Sequence, residues 1–384
     1  MDLITKRFLI LPAVFIAVLF VLDKIFLLPE VRDHFIQPGG MMYYRQRARQ
    51  VDLYNEFAKN PPPGTKLAVV FGDSRSFAIG NIVSSYIGKK DWTIFNFAGP
   101  QAVPAYHDHL SEKIFESGNP PGYMMLGLSP DAFNRNSGLM ASPVMNFGVD
   151  QEYILKNRTM IPSRDFDTYT ESRRFALVGM QFSLKTLIAR ISGSIRGGES
   201  AGLPLEFAPV MQDPNFSDRA KSIFLDMARG NIPTLADYDL DRAPERRILD
   251  AGGGAQYYWF GAKTDEDLRR DTDRIVAIYL KSFIVSEEQI YFYTRLMARS
   301  KKAGVRSIVF WPRVNPYLRK VYDSEPRIHY LWLRLEKIAL ESGAIAVDLN
   351  HVDETACNQY YDASHLSFSC FPSITKYLIN RLEN

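Results

Sequence analysis

The sequence predicts an α/β fold: a five-stranded parallel sheet covered by helices, an N-terminal transmembrane helix, and a large, mostly helical insertion. Three observations predict it. Apolar runs alternate with helix-compatible segments in βαβαβ order over residues 66–128, which calls for a parallel sheet with helices on both faces. The alternation dissolves over residues 135–285 and returns at residue 286. A long apolar run stands at the N-terminus, just after Lys6-Arg7.

The chain divides into residues 1–30, a transmembrane signal anchor; 31–64, a juxtamembrane helix and Pro-rich linker; and 65–384, the globular domain with its insertion at about 135–285. With 384 residues, 46% hydrophobic and 23% charged, it can bury a sizeable core. The net charge of +3 is dispersed, with no Lys/Arg run as long as a basic arm, which argues against a nucleic-acid partner. Aromatic residues cluster between 253 and 293 and suit a packing surface or a carbohydrate-compatible cleft.

Residues 8–22 are uninterruptedly apolar. Alone they make a helix of roughly 22 Å, short of a hydrocarbon core of about 30 Å; extension through Asp23-Lys24 to Leu28 makes up the difference. Asp23 and Lys24 then lie near one interface, where the lysine snorkels and pairs with its neighbour. No small-x-small cleavage site follows, which favours a retained anchor over a cleaved signal peptide. A buried core helix is the plainer alternative, but the run has no polar stripe. Lys6 and Arg7 set the N-terminus in the cytoplasm, although Lys24 and Arg32 flank the other side. The bulk of the protein is expected outside the cytoplasmic (inner) membrane, on the periplasmic side. Residues 31–59, with Arg45, Arg47 and Arg49 close together, read as a solvated helix near lipid headgroups. Residues 60–64 (Asn-Pro-Pro-Pro-Gly) read as a linker.

The first strand is expected at 66–71, then a sharp corner at Gly72-Asp73-Ser74 and a helix over 77–86. A second strand follows at 92–97, a helix at 101–116 and a third strand at 122–128. Within the insertion, helical patches stand near 172–196 and 266–283. Gly252-Gly253-Gly254 is a flexible break without the setting of a phosphate loop. The insertion is expected to lid the carboxyl edge of the sheet. Ser286 and Gln289 have capping-box spacing, opening a helix that stops at Gly304. A fourth strand is expected at 305–311, a helix at 330–342, a fifth strand at 344–349 and a final helix at 374–382. This order fits a flavodoxin-like three-layer sandwich, with ligands at the carboxyl ends of the strands.

A buried strand running into a glycine turn and a helix puts Ser74 on an exposed corner, with helix N-terminal N–H groups facing any negative charge that develops there. A serine needs a base to become a nucleophile. Asp362-x-x-His365, before the last helix, supplies one. The carboxylate can accept from one imidazole nitrogen while the other faces the serine.

These residues resemble the SGNH, or GDSL-like, hydrolase superfamily. Gly72-Asp73-Ser74 is similar to its first block, Asn96-Phe97-Ala98-Gly99 to its second and Asp362-x-x-His365 to its fifth. The resemblance covers roughly residues 65–134 and 286–384. It implies a Ser74-His365-Asp362 triad and an oxyanion hole built from the N–H groups of Ser74 and Gly99. The third block departs from the family's Gly-x-Asn-Asp. Here it is Gly127-Leu128-Ser129-Pro130-Asp131, so Ser129 or Asn134 is the expected third donor. With the anchor, the pattern resembles envelope-facing members of the superfamily, such as those of alginate O-acetylation or teichoic-acid D-alanylation. The resemblance implies ester hydrolysis or O-acyl transfer on an envelope glycan or lipid-linked substrate, without a cofactor. A membrane acyl-donor protein is a further expected partner, and a non-catalytic binding or assembly protein is the rival reading.

Asp73 is read as a turn or capping carboxylate. Arg75 is either a solvated charge or a clamp for a substrate anion. Arg313, after the fourth strand, is either a substrate contact or a loop residue. Asp348-x-x-His351 rivals the pair at 362 and 365, but the loop before the last helix favours His365. His107 and His109 read as surface or satisfied helical residues, and no His, Cys or acidic spacing suggests a metal site. Cys357 and Cys370, the only cysteines, bracket Asp362 and His365 and are expected to form a disulfide in an oxidising compartment.

Overall fold

Five strands form one sheet in the order β2-β1-β3-β4-β5, every neighbouring pair parallel. The strands are β1 (Lys66–Phe71), β2 (Trp92–Asn96), β3 (Tyr123–Gly127), β4 (Arg306–Trp311) and β5 (Ile345–Asp348). This computed structural model describes residues 3–28, 31, 39–176 and 263–384. In β1, Leu67, Val69 and Phe71 enter one apolar cluster while Ala68 and Val70 enter another. That is the period-two alternation of a strand buried on both faces.

The helices are α1 (Leu3–Leu27), α2 (Gly39–Lys59), α3 (Asn81–Tyr86), α4 (Pro104–Phe115), α5 (Gln151–Lys156), α6 (Ser163–Arg174), α7 (Asp265–Ile275), α8 (Glu287–Lys302), α9 (Pro316–Ser324), α10 (Pro326–Glu341) and α11 (Phe371–Glu383). Residues of α2, α4, α8 and α10 fill the larger cluster, and residues of α3 and α11 fill the smaller. Asp108 of α4, fully buried, joins α4 to α8 by accepting from Arg299 Nη1 at 2.7 Å and Arg295 Nε at 3.0 Å. Tyr153 of α5 donates to the same carboxylate at 2.7 Å.

α2 corrects the expectation of a solvated juxtamembrane helix. Tyr44, Arg47, Val51, Tyr54 and Ala58 are buried at steps of three and four, a single apolar stripe laid on the domain. Arg47 donates from Nε to the Ala98 carbonyl at 2.8 Å and lies over the Phe77 ring. Its alkyl stem and planar head suit such burial.

The helix expected at 77–86 is a 3-10 turn (Ser74–Ser76) followed by the short α3. The helix expected from residue 101 starts at Pro104, whose fixed φ suits the first helical turn. α9 was not foreseen; Asn315 caps it by accepting from Leu318 N–H at 2.8 Å. Ser286 accepts from Gln289 N–H at 3.3 Å, but the box is not reciprocal: Gln289 Oε1 accepts instead from Ala105 N–H at 3.1 Å. Of the patch near 172–196, only residues 172–176 are described, with α6 ending at Arg174; the rest of it and the triple glycine lie outside the described residues. The patch at 266–283 is α7 and a π-helix, Val276–Leu280. A second π-helix, Met140–Gly148, precedes α5.

Among the described residues, α1 is the one helix long and apolar enough to cross a membrane, over Ile10–Leu27. Its position and exposure fit an anchor or a signal sequence. Lys24 pairs with Asp23 at 3.1 Å, donates to the Arg174 carbonyl at the end of α6, and lies 4.3 Å from the centre of the Phe175 ring.

Candidate active site

The corner after β1 is set by glycine and aspartate. Gly72 has φ of +153°, and a Cβ there would collide with the Ser76 side chain, so the turn requires glycine. Asp73 then caps the 3-10 turn, its Oδ1 accepting from Arg75 N–H at 2.9 Å. Ser74 is the first residue of that turn, and its N–H therefore has no partner within the turn.

The other half of the site is the loop between β5 and α11. A Cys357–Cys370 disulfide closes it, and Tyr360 bridges to Leu366 across its neck. Inside, Asp362 Oδ1 accepts from the N–H groups of Ser364 at 2.8 Å and His365 at 2.9 Å. That Asx-type turn folds the imidazole back onto its own carboxylate. His365 Nδ1 lies 2.8 Å from Asp362 Oδ2, and His365 Nε2 lies 2.7 Å from Ser74 Oγ. A carboxylate only accepts, so the proton sits on Nδ1 and Nε2 faces the serine hydroxyl as an acceptor. Burial works to raise the pKa of Asp362, but the facing imidazole and the two backbone N–H groups outweigh it and hold the carboxyl well below its usual range. Serine, imidazole and ionised carboxylate thus form one hydrogen-bonded chain, an arrangement able to remove a hydroxyl proton during attack.

The chain opens into a cavity of about 770 Å³. Its lining includes Asp73, Ser74, Arg75 and Asp131, together with the apolar residues Leu139, Pro143, Phe147, Ile275 and Ile278 and with Tyr279.

The geometry departs from the expected oxyanion hole in three places. Gly99 N–H donates to the Gly72 carbonyl at 3.0 Å. Ser129 Oγ donates to Asp73 Oδ2 at 2.5 Å. Asn134 Nδ2 donates to the Tyr279 carbonyl at 2.7 Å, while its Oδ1 accepts from Asn136 and Ile284 N–H groups. Each donor serves the scaffold instead: the Gly99 N–H ties its loop to the nucleophile corner, Ser129 satisfies Asp73, and Asn134 satisfies the 279–284 segment.

Neither candidate substrate arginine is available as expected. Arg75 lines the cavity, but it is buried and its Nη1 is shared by Asp73 Oδ2 at 2.7 Å and Asp131 Oδ1 at 3.0 Å. Arg313 is not among the cavity-lining residues and donates to the Leu349 carbonyl at 3.3 Å. His351, the rival base, is exposed and engaged by Arg319 and Asp348, away from Ser74.

Several residues carried no legible signal. His107 is buried in the core with Nε2 3.1 Å from the Gly72 carbonyl, and burial pushes its pKa down to about 4. The neutral ring therefore donates to the backbone beside the nucleophile corner. Gln101, at the cavity wall, donates to Tyr279 Oη at 2.5 Å. Arg274 also lines the cavity. Among the described residues, no three His, Cys, Asp or Glu side chains gather to hold a metal ion.

No curated protein matches the chain. The model of a family described as "Protein of unknown function (DUF1574)" matches residues 3–198 and 250–382, and with most of its length covered the chain belongs to that family.

Proposed function

We propose that this protein is a membrane-anchored, SGNH-like serine esterase or O-acyltransferase of the cell envelope. The observation that carries the reading is the Ser74–His365–Asp362 chain, with contacts of 2.7 and 2.8 Å drawn from segments 291 residues apart. In this reading Ser74 attacks an acyl ester and His365 takes its proton. The acyl-enzyme then passes its acyl group to water or to a sugar hydroxyl, and no cofactor is needed. The parallel order β2-β1-β3-β4-β5 supports a flavodoxin-like three-layer sandwich, and the cavity stands at the carboxyl ends of β1 and β3, where such sheets bind ligands. Cavity walls drawn from residues 137–147 and 263–279 support a lid role for the insertion.

The apolar α1 and the disulfide together favour an extracytoplasmic domain on the inner membrane. There the substrate is an envelope glycan or a lipid-linked acyl ester, with a membrane acyl-donor protein as partner. Hydrolysis of p-nitrophenyl acetate by the purified chain tests the reading. Turnover that Ser74→Ala lowers at least about 1000-fold supports it; turnover unaffected by that change refutes it. One observation favours a second reading, a non-catalytic binding or assembly protein: all three donors named for the oxyanion hole beyond Ser74 are engaged elsewhere. That protein would show no turnover and no loss of cellular function on Ser74→Ala.

A further inference from the structure

A serine nucleophile without a second oxyanion donor is a poor catalyst, and Gly99, Ser129 and Asn134 are all committed. The loop from β2 to α4 offers another. Phe97 N–H donates to Val70 O at 2.7 Å and Gly99 N–H to Gly72 O at 3.0 Å, which sews the loop to the nucleophile corner. Tyr44 Oη donates to the Pro100 carbonyl at 2.7 Å and fixes the next turn. The residue delivered to the cavity by that turn is Gln101, exposed while Ala98, Gly99, Ala102 and Val103 around it are buried. Its φ is +57°, a conformation in which glycine is unstrained and glutamine is not. Strain of this kind, held in place by its surroundings, gathers at functional sites.

The side chain is also held in place at the cavity lining that it shares with Ser74. Nε2 donates one hydrogen to Tyr279 Oη at 2.5 Å, and an amide nitrogen carries two. Tyr279 is itself tied by Asn134 through its carbonyl at 2.7 Å. Among the described residues, the other unpartnered polar atoms around the nucleophile corner, Arg75 Nε, Ser76 Oγ and His107 Nδ1, are fully buried.

We propose that Gln101 is a catalytic residue, donating its second amide hydrogen, together with the Ser74 N–H, to the oxyanion formed at Ser74, and that Tyr279 is the residue that positions it. The inference rests on the acyl-transfer reading. As Ser74 Oγ bonds to the carbonyl carbon, the C=O π pair moves onto oxygen and the serine proton passes to His365 Nε2. The two donors meet the charge on that oxygen. When the pair returns, the bond to the leaving oxygen breaks and His365 gives that oxygen the proton.

The test uses the full chain in detergent micelles, with p-nitrophenyl acetate as substrate and a boronic acid as transition-state analogue. Gln101→Glu and Gln101→Gly are each expected to lower kcat by about 100- to 1000-fold with KM within about threefold. Boronate affinity should fall in step with kcat/KM. Tyr279→Phe should give a smaller loss of the same kind. Gln101→Gly should not lower Tm, because glycine takes the positive φ without strain. Variants within about threefold of wild-type kcat overturn the proposal, as does a Gln101→Gly protein that loses rate and Tm together. A wild-type protein that neither turns over the ester nor takes a fluorophosphonate on Ser74 overturns the hydrolase reading and this inference with it. A wild-type protein that does both, beside equally fast variants, overturns the role of Gln101 alone.

Discussion

Asp362→Asn isolates the electrostatic part of the site. The asparagine keeps one oxygen for the Ser364 and His365 N–H groups, so the loop should hold its shape. Its amide, however, donates where the carboxylate accepted, and it turns the imidazole to the tautomer with the proton on Nε2. That nitrogen lies 2.7 Å from Ser74 Oγ and then faces the hydroxyl as a donor, not a base. The imidazolium formed in the transition state also loses its counter-charge. At about 4 Å and an effective dielectric near 20, that attraction is about 4 kcal/mol, or about 1000-fold in rate. The tautomer change takes the expected loss toward ~10⁴-fold. Ester hydrolysis at pH 7.5 reads it, with KM expected within about threefold. A pH series of urea unfolding gives a second readout. The Asp362 carboxyl is held below its unfolded value by His365 and the loop N–H groups despite burial. Its contribution is therefore present above about pH 4 and is lost as pH falls through the folded value. Asp362→Asn should lack that acid loss. A fall in kcat of less than about tenfold would refute the reasoning.

Replacing Cys357 and Cys370 by serine opens a 13-residue separation; it should cost about 3 kcal/mol in chemical unfolding and lower kcat, because the loop carries Asp362 and His365. Unchanged stability would contradict this. Asp108→Ala leaves Arg295 and Arg299 facing a buried void and should cost about 3 kcal/mol without altering the pH profile of any activity; a cost under about 1 kcal/mol would show that α4 and α8 are held by apolar packing alone. His107 is depressed to about 4 by burial, so the unfolded chain takes its proton first as pH falls below about 6.5. His107 alone should lower stability by roughly 3 kcal/mol between pH 6.5 and 4, and His107→Gln should remove that share of the decline. His109, also depressed to about 4 by burial, keeps the rest. An unaltered slope would contradict the assignment.

The strands were legible to within a residue at most ends because each has an apolar run at its centre, mostly buried in the first four strands and half-buried in β5, with Gly, Pro or Asn closing it. The pairing of Ser74 with His365 was legible because the chemistry demands a base and the last loop holds Asp and His at a spacing that lets one bond the other. What was not legible depends on partners distant in sequence. Arg47 looks solvated until α2 lies on the sheet and the Ala98 carbonyl meets it. Ser129 and Asn134 look like free donors until Asp73 and Tyr279 claim them. Arg75 looks like an anion clamp until Asp131, 56 residues on, neutralises it. Gln101 gave no signal at all, since its positive φ follows from the way Gly99, Pro100 and Tyr44 fix the loop.

Peptide mapping after exposure to a fluorophosphonate is the most direct measurement of whether Ser74 is an activated nucleophile. The account predicts one phosphonylated serine, Ser74, in the wild-type chain and none in His365→Ala. A wild-type chain left unmodified under conditions that label a control serine hydrolase would contradict it, as would equal labelling of the His365→Ala chain.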